Sequence, residues 1–128
     1  MVPSLPEEKG TFRDQDNLLA WHSSELWFTF SSLRENVPPI RPWRASDFEL
    51  ADVISSYWAN FIATGDPNNK TWSDAASAQP ELPFWPKSDE NYGWMDLGDV
   101  PQGHEGLDKL DELALEYLRS LKVFPEIQ

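Results

Sequence analysis

The feature that most constrains the fold is a long amphipathic helix predicted over residues 46–64. Apolar side chains recur there at the three- and four-residue spacings of one helix face, namely Leu50, Val53, Ile54, Tyr57, Trp58 and Phe61. Ser46 and Glu49 form a predicted capping box at its start, and Gly65 is a predicted C-terminal stop. Because such a helix must bury its apolar face, other elements of the chain have to cover it.

The remaining predicted elements are few. A short helix is expected over residues 24–33, with Leu26, Phe30 and Leu33 on its apolar face, and a terminal helix over residues 105–123. The apolar stripe of the terminal helix comprises Leu107, Leu110, Ala114, Tyr117, Leu118 and Leu121. Only residues 92–97 form a plausible strand, and a single strand needs a sheet edge from elsewhere. The alternative is a small helical domain with ordered loops.

Composition restricts the possible partners. The 128 residues carry a net charge of −12, which disfavours nucleic acid and anionic membranes. No apolar run is long enough to span a membrane, and no signal peptide is recognisable at the start. The absence of cysteine excludes disulfides and cysteine-ligated metals. Residues 69–71 form an N-glycosylation sequon, but neither its use nor the compartment follows from the sequence.

Two sequence segments carry a family resemblance when taken together. Residues 20–26 read AWHSSEL, and residues 57–68 read YWANFIATGDPN. In this order and spacing they resemble the C-terminal region of the type-B carboxylesterases, the cholinesterase-like branch of the α/β-hydrolase superfamily. That family carries its catalytic histidine in H-(G/S)-x-E-(L/I), followed by YWxNFxxTGDPN. The segment LPFWP at residues 82–86 resembles the family's LPxWPxY turn.

The resemblance implies an α/β-hydrolase C-terminal fragment. This fragment is expected to be mostly α-helical, with long loops and at most one or two short β-strands. Residues 1–17 are predicted to be an irregular lead-in. Residues 18–128 would form the C-terminal part of a carboxylesterase type-B domain, in the order catalytic-histidine loop, long helix, loop, short strand and terminal helix.

The resemblance also assigns the site. His22 occupies the position of the general acid/base histidine of a Ser-Glu/Asp-His triad. The resemblance further implies that Glu25 helps to hold the histidine loop and that Ser23 flanks the site. The chain contains neither a G-x-S-x-G nucleophile elbow nor an HGGG-type oxyanion segment. The nucleophile and the acid are therefore expected outside this chain, and the isolated chain is predicted to be inactive.

Other candidate residues have simpler interpretations. His104 is predicted to be a solvated loop residue, and the acidic residues of the terminal helix are predicted to form its solvated side. Asp14, Asp16 and Glu25 near His22 could suggest a metal, but two histidines more than eighty positions apart make that improbable. Neither a metal nor another cofactor is expected.

Three functional hypotheses remain open. The chain could be the C-terminal portion of an ester hydrolase, acting on small esters once completed by an N-terminal carboxylesterase segment. It could instead be a stand-alone non-catalytic relict or acidic interaction module, with its exposed apolar face buried against a partner or, by self-association, against a second copy. It could also be a small enzyme that uses His22 as a lone acid/base.

Overall fold

The computed structural model describes residues 2–14, 21–38, 40–69 and 81–121. These residues form a 3-10 turn and five further elements: α1 (Leu26–Thr29), α2 (Ala45–Thr64), β1 (Trp94–Asp96), β2 (Gln102–His104) and α3 (Lys109–Ser120). Three helices and one two-stranded sheet agree with the predicted mostly helical fragment. Several predicted features lie outside the described residues, among them Asp16, Thr71 and the end of the terminal helix beyond residue 121.

Helix α2 begins one residue earlier than its predicted cap. The Arg44 backbone N–H donates to Asp47 Oδ2 at 2.7 Å, and the Arg44 guanidinium donates to Asp47 Oδ1 at 3.1 Å. The predicted capping box of Ser46 and Glu49 is therefore wrong, because the buried Asp47 carboxylate closes the first turn instead. The predicted end is confirmed. Gly65 adopts a φ of 77° and donates its N–H to the Phe61 carbonyl at 2.7 Å.

The core lies between α1, α2 and the start of the chain. Its buried members are Val2, Phe28, Leu33, Leu50, Ala51 and Ile54. The short predicted helix is reduced to one turn, Leu26–Thr29. Of its predicted apolar face, Leu33 is buried, whereas Leu26 and Phe30 are exposed and Phe28 is buried in their place. Val2 lies in the lead-in that lacks periodicity, so that segment contributes to the core without forming a long regular element.

The lead-in is held by Arg41. Its guanidinium donates to the Pro3 carbonyl at 2.9 Å and lies 3.8 Å from the Glu8 carboxylate. It also lies 5.7 Å from the ring centroid of Trp27. The contacts with Pro3 and Glu8 connect residues separated by more than thirty positions. They fix the lead-in against α1 and the segment before α2.

The predicted strand finds its partner within the chain. β1 pairs antiparallel with β2, and Trp94 lies opposite His104. The expectation that a sheet edge must come from elsewhere is wrong, because residues 102–104 supply one. Their Gly103 permits close packing, since a Cβ at this position would lie 2.5 Å from the Phe84 carbonyl oxygen. His104 is half-buried with its ring stacked at 4.3 Å on Trp94, so the solvated-loop prediction is also wrong.

Helix α3 begins after Asp108. The Asp108 carboxylate accepts hydrogen bonds from the backbone N–H groups of Leu110 and Asp111, both at 2.8 Å. This cap starts the helix at Lys109, four residues later than predicted. None of its residues is buried. The apolar stripe of this helix is therefore exposed in this chain, with Tyr117 and Leu121 at 64% and 50%.

Candidate functional site

His22 lies in a tight turn. The turn is closed by the Ser24 backbone N–H, which donates to the Trp21 carbonyl at 3.0 Å. Ser23 has a φ of 69°, a region that glycine adopts most readily. This positive φ gives a physical reason why the family motif has either glycine or serine at the position of Ser23. The turn leaves the His22 side chain exposed.

Both ends of the histidine turn are anchored. On one side the Trp21 ring packs, partly buried, against the core. On the other side the Ser23 carbonyl accepts from the Leu26 N–H at 3.3 Å, and α1 follows with buried Phe28. Because neighbouring residues on both sides are held by packing, the backbone at His22 is fixed while its ring faces outward. Such an arrangement suits a side chain that acts on a group outside this chain.

The three predicted site residues lie within four positions of one another. Within the described residues, the His22 ring and the Glu25 carboxylate make no side-chain hydrogen bond or ion pair. Glu25 acts instead through its backbone carbonyl, which accepts from the N–H groups of Phe28 and Thr29 at 3.0 and 2.9 Å. The sequence-based role of the Glu25 side chain stays a prediction.

Sequence analysis did not single out the aromatic support of this turn. Trp43 contacts Trp27 at a centroid distance of 5.7 Å and Phe28 edge-on at 6.2 Å. The only signal in the sequence is the high tryptophan content, which does not say which rings meet. Trp21 Nε1 is buried and has no hydrogen-bond partner among the described residues. A buried donor in that state costs about 1–3 kcal/mol.

A second set of contacts joins residues 57–68 to residues 82–86, the two other segments that carry the family resemblance. The Asn68 side chain accepts from the Trp85 N–H at 2.7 Å and donates to the Trp85 carbonyl at 3.0 Å. The Tyr57 hydroxyl donates to the Pro83 carbonyl, and its ring meets Trp85 edge-on at 5.0 Å. We call these contacts of Tyr57 and Asn68 with residues 83–85 the clamp. Burial raises the pKa of the Tyr57 hydroxyl above its ordinary value.

The turn after α2 positions Asn68 for the clamp. Fully buried Asn60 donates its side-chain N–H to the Pro67 carbonyl at 3.0 Å. Asp66 Oδ1 accepts from the Asn68 backbone N–H at 2.8 Å, which orients Asn68 towards Trp85. Asn60, Asp66 and Asn68 of the motif YWANFIATGDPN thus hold the turn after α2 and residues 83–85 together.

Beside the clamp lies an open groove with a cavity volume of about 510 Å³. Its aromatic wall includes Trp58 and Phe61, which are 48% and 51% exposed. Helical spacing places both residues beside the inward face of α2, but no surface among the described residues covers them. Lys87 and Asp66 provide charges at the rim.

The described residues offer no other evident chemistry. They contain no group of three or more histidine, aspartate or glutamate side chains placed to hold a metal ion. Nor does any helix in this part of the chain have the length and apolar character needed to cross a membrane. His22 is the residue that the sequence resemblance singles out, and its acid/base role stays a prediction.

Comparison with known proteins decides the family. The model of the carboxylesterase family matches residues 6–114, a region that contains the histidine turn, the clamp and the hairpin. The chain belongs to the carboxylesterase family. The match begins within the predicted lead-in and ends inside α3.

Individual carboxylesterases are also similar to this chain. Carboxylesterase 1C of Mus musculus is 30% identical over 95 residues, which are 73% of this chain. Carboxylesterase 1F of Mus musculus is 30% identical over 67% of the chain, and Carboxylesterase 1E of the same species is 25% identical over 86%. The matched parts are 14%, 13% and 17% of these relatives, so this carboxylesterase chain spans only a small share of their length.

Proposed function

We propose that this chain is the part of a carboxylic ester hydrolase that supplies the general acid/base histidine, His22. In this proposal the serine nucleophile and the triad Glu or Asp come from a carboxylesterase portion outside this chain, within an α/β-hydrolase fold. The carrying observation is that a family-matched chain presents His22 outward on a turn anchored at both ends. The substrate class is a small carboxylic ester.

The proposed chemistry uses His22 twice. The imidazole removes the proton from the serine hydroxyl as the serine oxygen bonds to the ester carbonyl carbon. The resulting imidazolium returns the proton to the departing alcohol when the ester C–O bond breaks. In the second half, His22 takes a proton from water as water attacks the acyl carbon. It then returns the proton to the serine oxygen as the bond between that oxygen and the acyl carbon breaks and the carboxylic acid leaves. An imidazole is suited to both roles because its ordinary pKa lies near neutrality.

The chain by itself lacks most of what this reaction requires. A positioned general base contributes about 10²- to 10⁴-fold, whereas an esterase also needs a nucleophile, an oxyanion hole and substrate positioning. Ser23 and Ser24 adjoin His22, but their backbone groups are engaged in the turn. We therefore expect no enzymatic turnover from the isolated chain.

Ser23 and Glu25 have supporting roles in this proposal. Ser23 gives the turn its left-handed residue, and its carbonyl meets the first turn of α1. The Glu25 carboxylate is exposed in this chain, which leaves it available to hydrogen-bond the histidine loop or its surroundings in the completed enzyme. Both act by placing the imidazole.

A second candidate is a non-catalytic acidic interaction module. The observation that favours it is the exposed apolar stripe of α3 combined with a net charge of −12. It differs from the first candidate in one respect, because it predicts binding without any ester turnover.

Complementation tests the proposal. The chain is mixed or co-expressed with the part of Carboxylesterase 1C that lies outside the matched segment, and aryl ester hydrolysis is measured. We expect saturable turnover that a serine-reactive organophosphate abolishes, with neither portion active alone. A stable complex without turnover would favour the interaction module, and serine-reagent-sensitive turnover by this chain alone would contradict both candidates.

A further inference from the structure

Two energetically unfavourable features flank His22 in its turn. The Trp21 indole N–H is buried and has no hydrogen-bond partner among the described residues. Ser23 has a φ of 69°, in the left-handed region that residues other than glycine rarely adopt. Buried donors are nearly always paired, and unusual backbone angles are concentrated at functional sites. Their occurrence on both sides of His22 points to a role beyond the stability of the chain.

Trp21 contributes to this turn in two ways. Its backbone carbonyl accepts from the Ser24 N–H at 3.0 Å and closes the turn. Its ring packs, partly buried, against the core cluster that contains Phe28. Because any residue can supply the carbonyl, the identity of residue 21 matters through its ring.

The stability of the chain does not by itself account for a tryptophan at this position. A phenylalanine ring packs in the same apolar surroundings and carries no N–H group that burial leaves unpaired. What tryptophan adds is the second ring of the indole. This ring extends the contact with the core and leaves fewer orientations open to the backbone beside it.

We propose that Trp21 is a positioning residue for His22. The fused ring, held by the core, fixes the backbone of the turn so that the His22 imidazole projects in one direction towards the reacting group. The unpaired N–H accompanies that placement, since functional sites commonly sacrifice some stability. This inference rests on the proposed function, because it assigns a residue that orients the acid/base histidine. Trp21 acts through His22 and not on the substrate.

The test compares three substitutions. Trp21→Phe removes both the second ring and the N–H. Benzothienylalanine at position 21, incorporated by nonsense suppression, keeps the two fused rings and replaces the N–H with sulfur. Trp85→Phe is the matched control, because Trp85 is also partly buried and its ring contacts another aromatic ring, that of Tyr57.

Urea unfolding of the isolated chain gives the first readout. The benzothienylalanine chain should have an unfolding midpoint at or above that of the parent chain, because the unpaired donor is gone and the contacts of the rings remain. Trp21→Phe should lower the midpoint no more than Trp85→Phe does. A lower midpoint for the benzothienylalanine chain, or a larger decrease for Trp21→Phe than for the control, would overturn the inference.

Backbone order in the turn gives the second readout, measured on the isolated chain by amide ¹⁵N relaxation. We expect order parameters of about 0.85 for residues 22–24 in the parent, control and benzothienylalanine chains, and of about 0.6 in Trp21→Phe. Unchanged order in Trp21→Phe would overturn the inference. This measurement needs no ester turnover, so it is independent of the proposed function.

Kinetics of the complex with the Carboxylesterase 1C portion give the third readout. Trp21→Phe should lower kcat for an aryl ester about tenfold and change KM less than about twofold, because it misplaces the general base without altering substrate contacts. Benzothienylalanine and Trp85→Phe should each keep kcat within about twofold of the parent value. An unchanged kcat for Trp21→Phe, or an equal loss with benzothienylalanine, would overturn the inference. No turnover by the parent complex would refute the proposed function alone, and the order parameters would then decide the inference.

Discussion

Replacing Asn68 tests whether the clamp stabilises the fold. Asn68→Ala removes two hydrogen bonds to Trp85, of 2.7 and 3.0 Å, between segments seventeen residues apart. Each such bond contributes about 0.5–1.5 kcal/mol net, and a buried group left unpaired costs about 1–3 kcal/mol. Asn68 and Trp85 are only half-buried, so water recovers part of that cost. We expect a loss of about 2–3 kcal/mol in the free energy of unfolding.

Urea and thermal unfolding followed by circular dichroism measure this loss. For a chain of this size it corresponds to a decrease in Tm of roughly 10 °C. Asn68→Asp should cost at least as much, because the carboxylate still accepts from the Trp85 N–H but repels the Trp85 carbonyl and Asp66.

Asn69→Ala is the matched control. Asn69 is exposed, and its backbone N–H keeps its bond to the Asp66 carbonyl after the substitution. We expect its free energy of unfolding to change by less than about 0.5 kcal/mol. Equal effects of the Asn68 and Asn69 substitutions would refute the clamp.

Three further expectations follow from single residues. Ser23→Gly should raise the free energy of unfolding by up to about 1 kcal/mol, and Ser23→Val should lower it, because φ is 69°; urea titration decides the order. Burial raises the pKa of Tyr57, so the unfolded tyrosine ionises first and the free energy of unfolding should fall as the pH rises above about 10. Tyr57→Phe should make this decrease smaller. The Ser4 hydroxyl and Gly10 N–H lower the pKa of Asp14, so stability should fall as the pH drops below about 3.8; Ser4→Ala should weaken this acid dependence, and an unchanged acid limb would contradict it.

The sequence pattern predicted the features that depend only on residues close together in the chain. The stop of α2 at Gly65 followed from glycine's access to positive φ, and inward-facing Leu50, Ile54 and Tyr57 followed from helical spacing. The cap of α2 was misplaced by pattern alone, because Ser46 and Asp47 are both good caps and the choice depends on the Arg44 guanidinium beside the carboxylate.

Long-range contacts account for what the sequence did not predict. Strand β2 contains Gly103 and is stabilised by pairing with β1 and by close packing of residues 84–86, neither of which has a local signature. Val2 is buried only because Arg41 and the core hold the lead-in. Trp58 and Tyr117 lie at the apolar spacing of their helices, and both are exposed because no surface among the described residues covers them.

For the site, the placement of His22 in a loop could be predicted from the sequence, but the aromatic residues that anchor its turn could not. The motif placed the histidine in a loop, and the structure shows an exposed side chain on an anchored turn. The anchoring by Trp21, Phe28 and Trp43 depends on which aromatic rings meet in three dimensions.

The central claim is that His22 is the acid/base group of a completed ester hydrolase. The most direct measurement is kcat/KM for an aryl ester in the complemented complex, with His22→Ala compared with His104→Ala. We expect His22→Ala to lower kcat/KM by at least about 10⁴-fold with complex formation intact, because nucleophile activation and alcohol protonation are both lost. His104, stacked on Trp94 in the hairpin, should be replaceable with less than about a threefold change. Equal activities of the two variants would contradict the account.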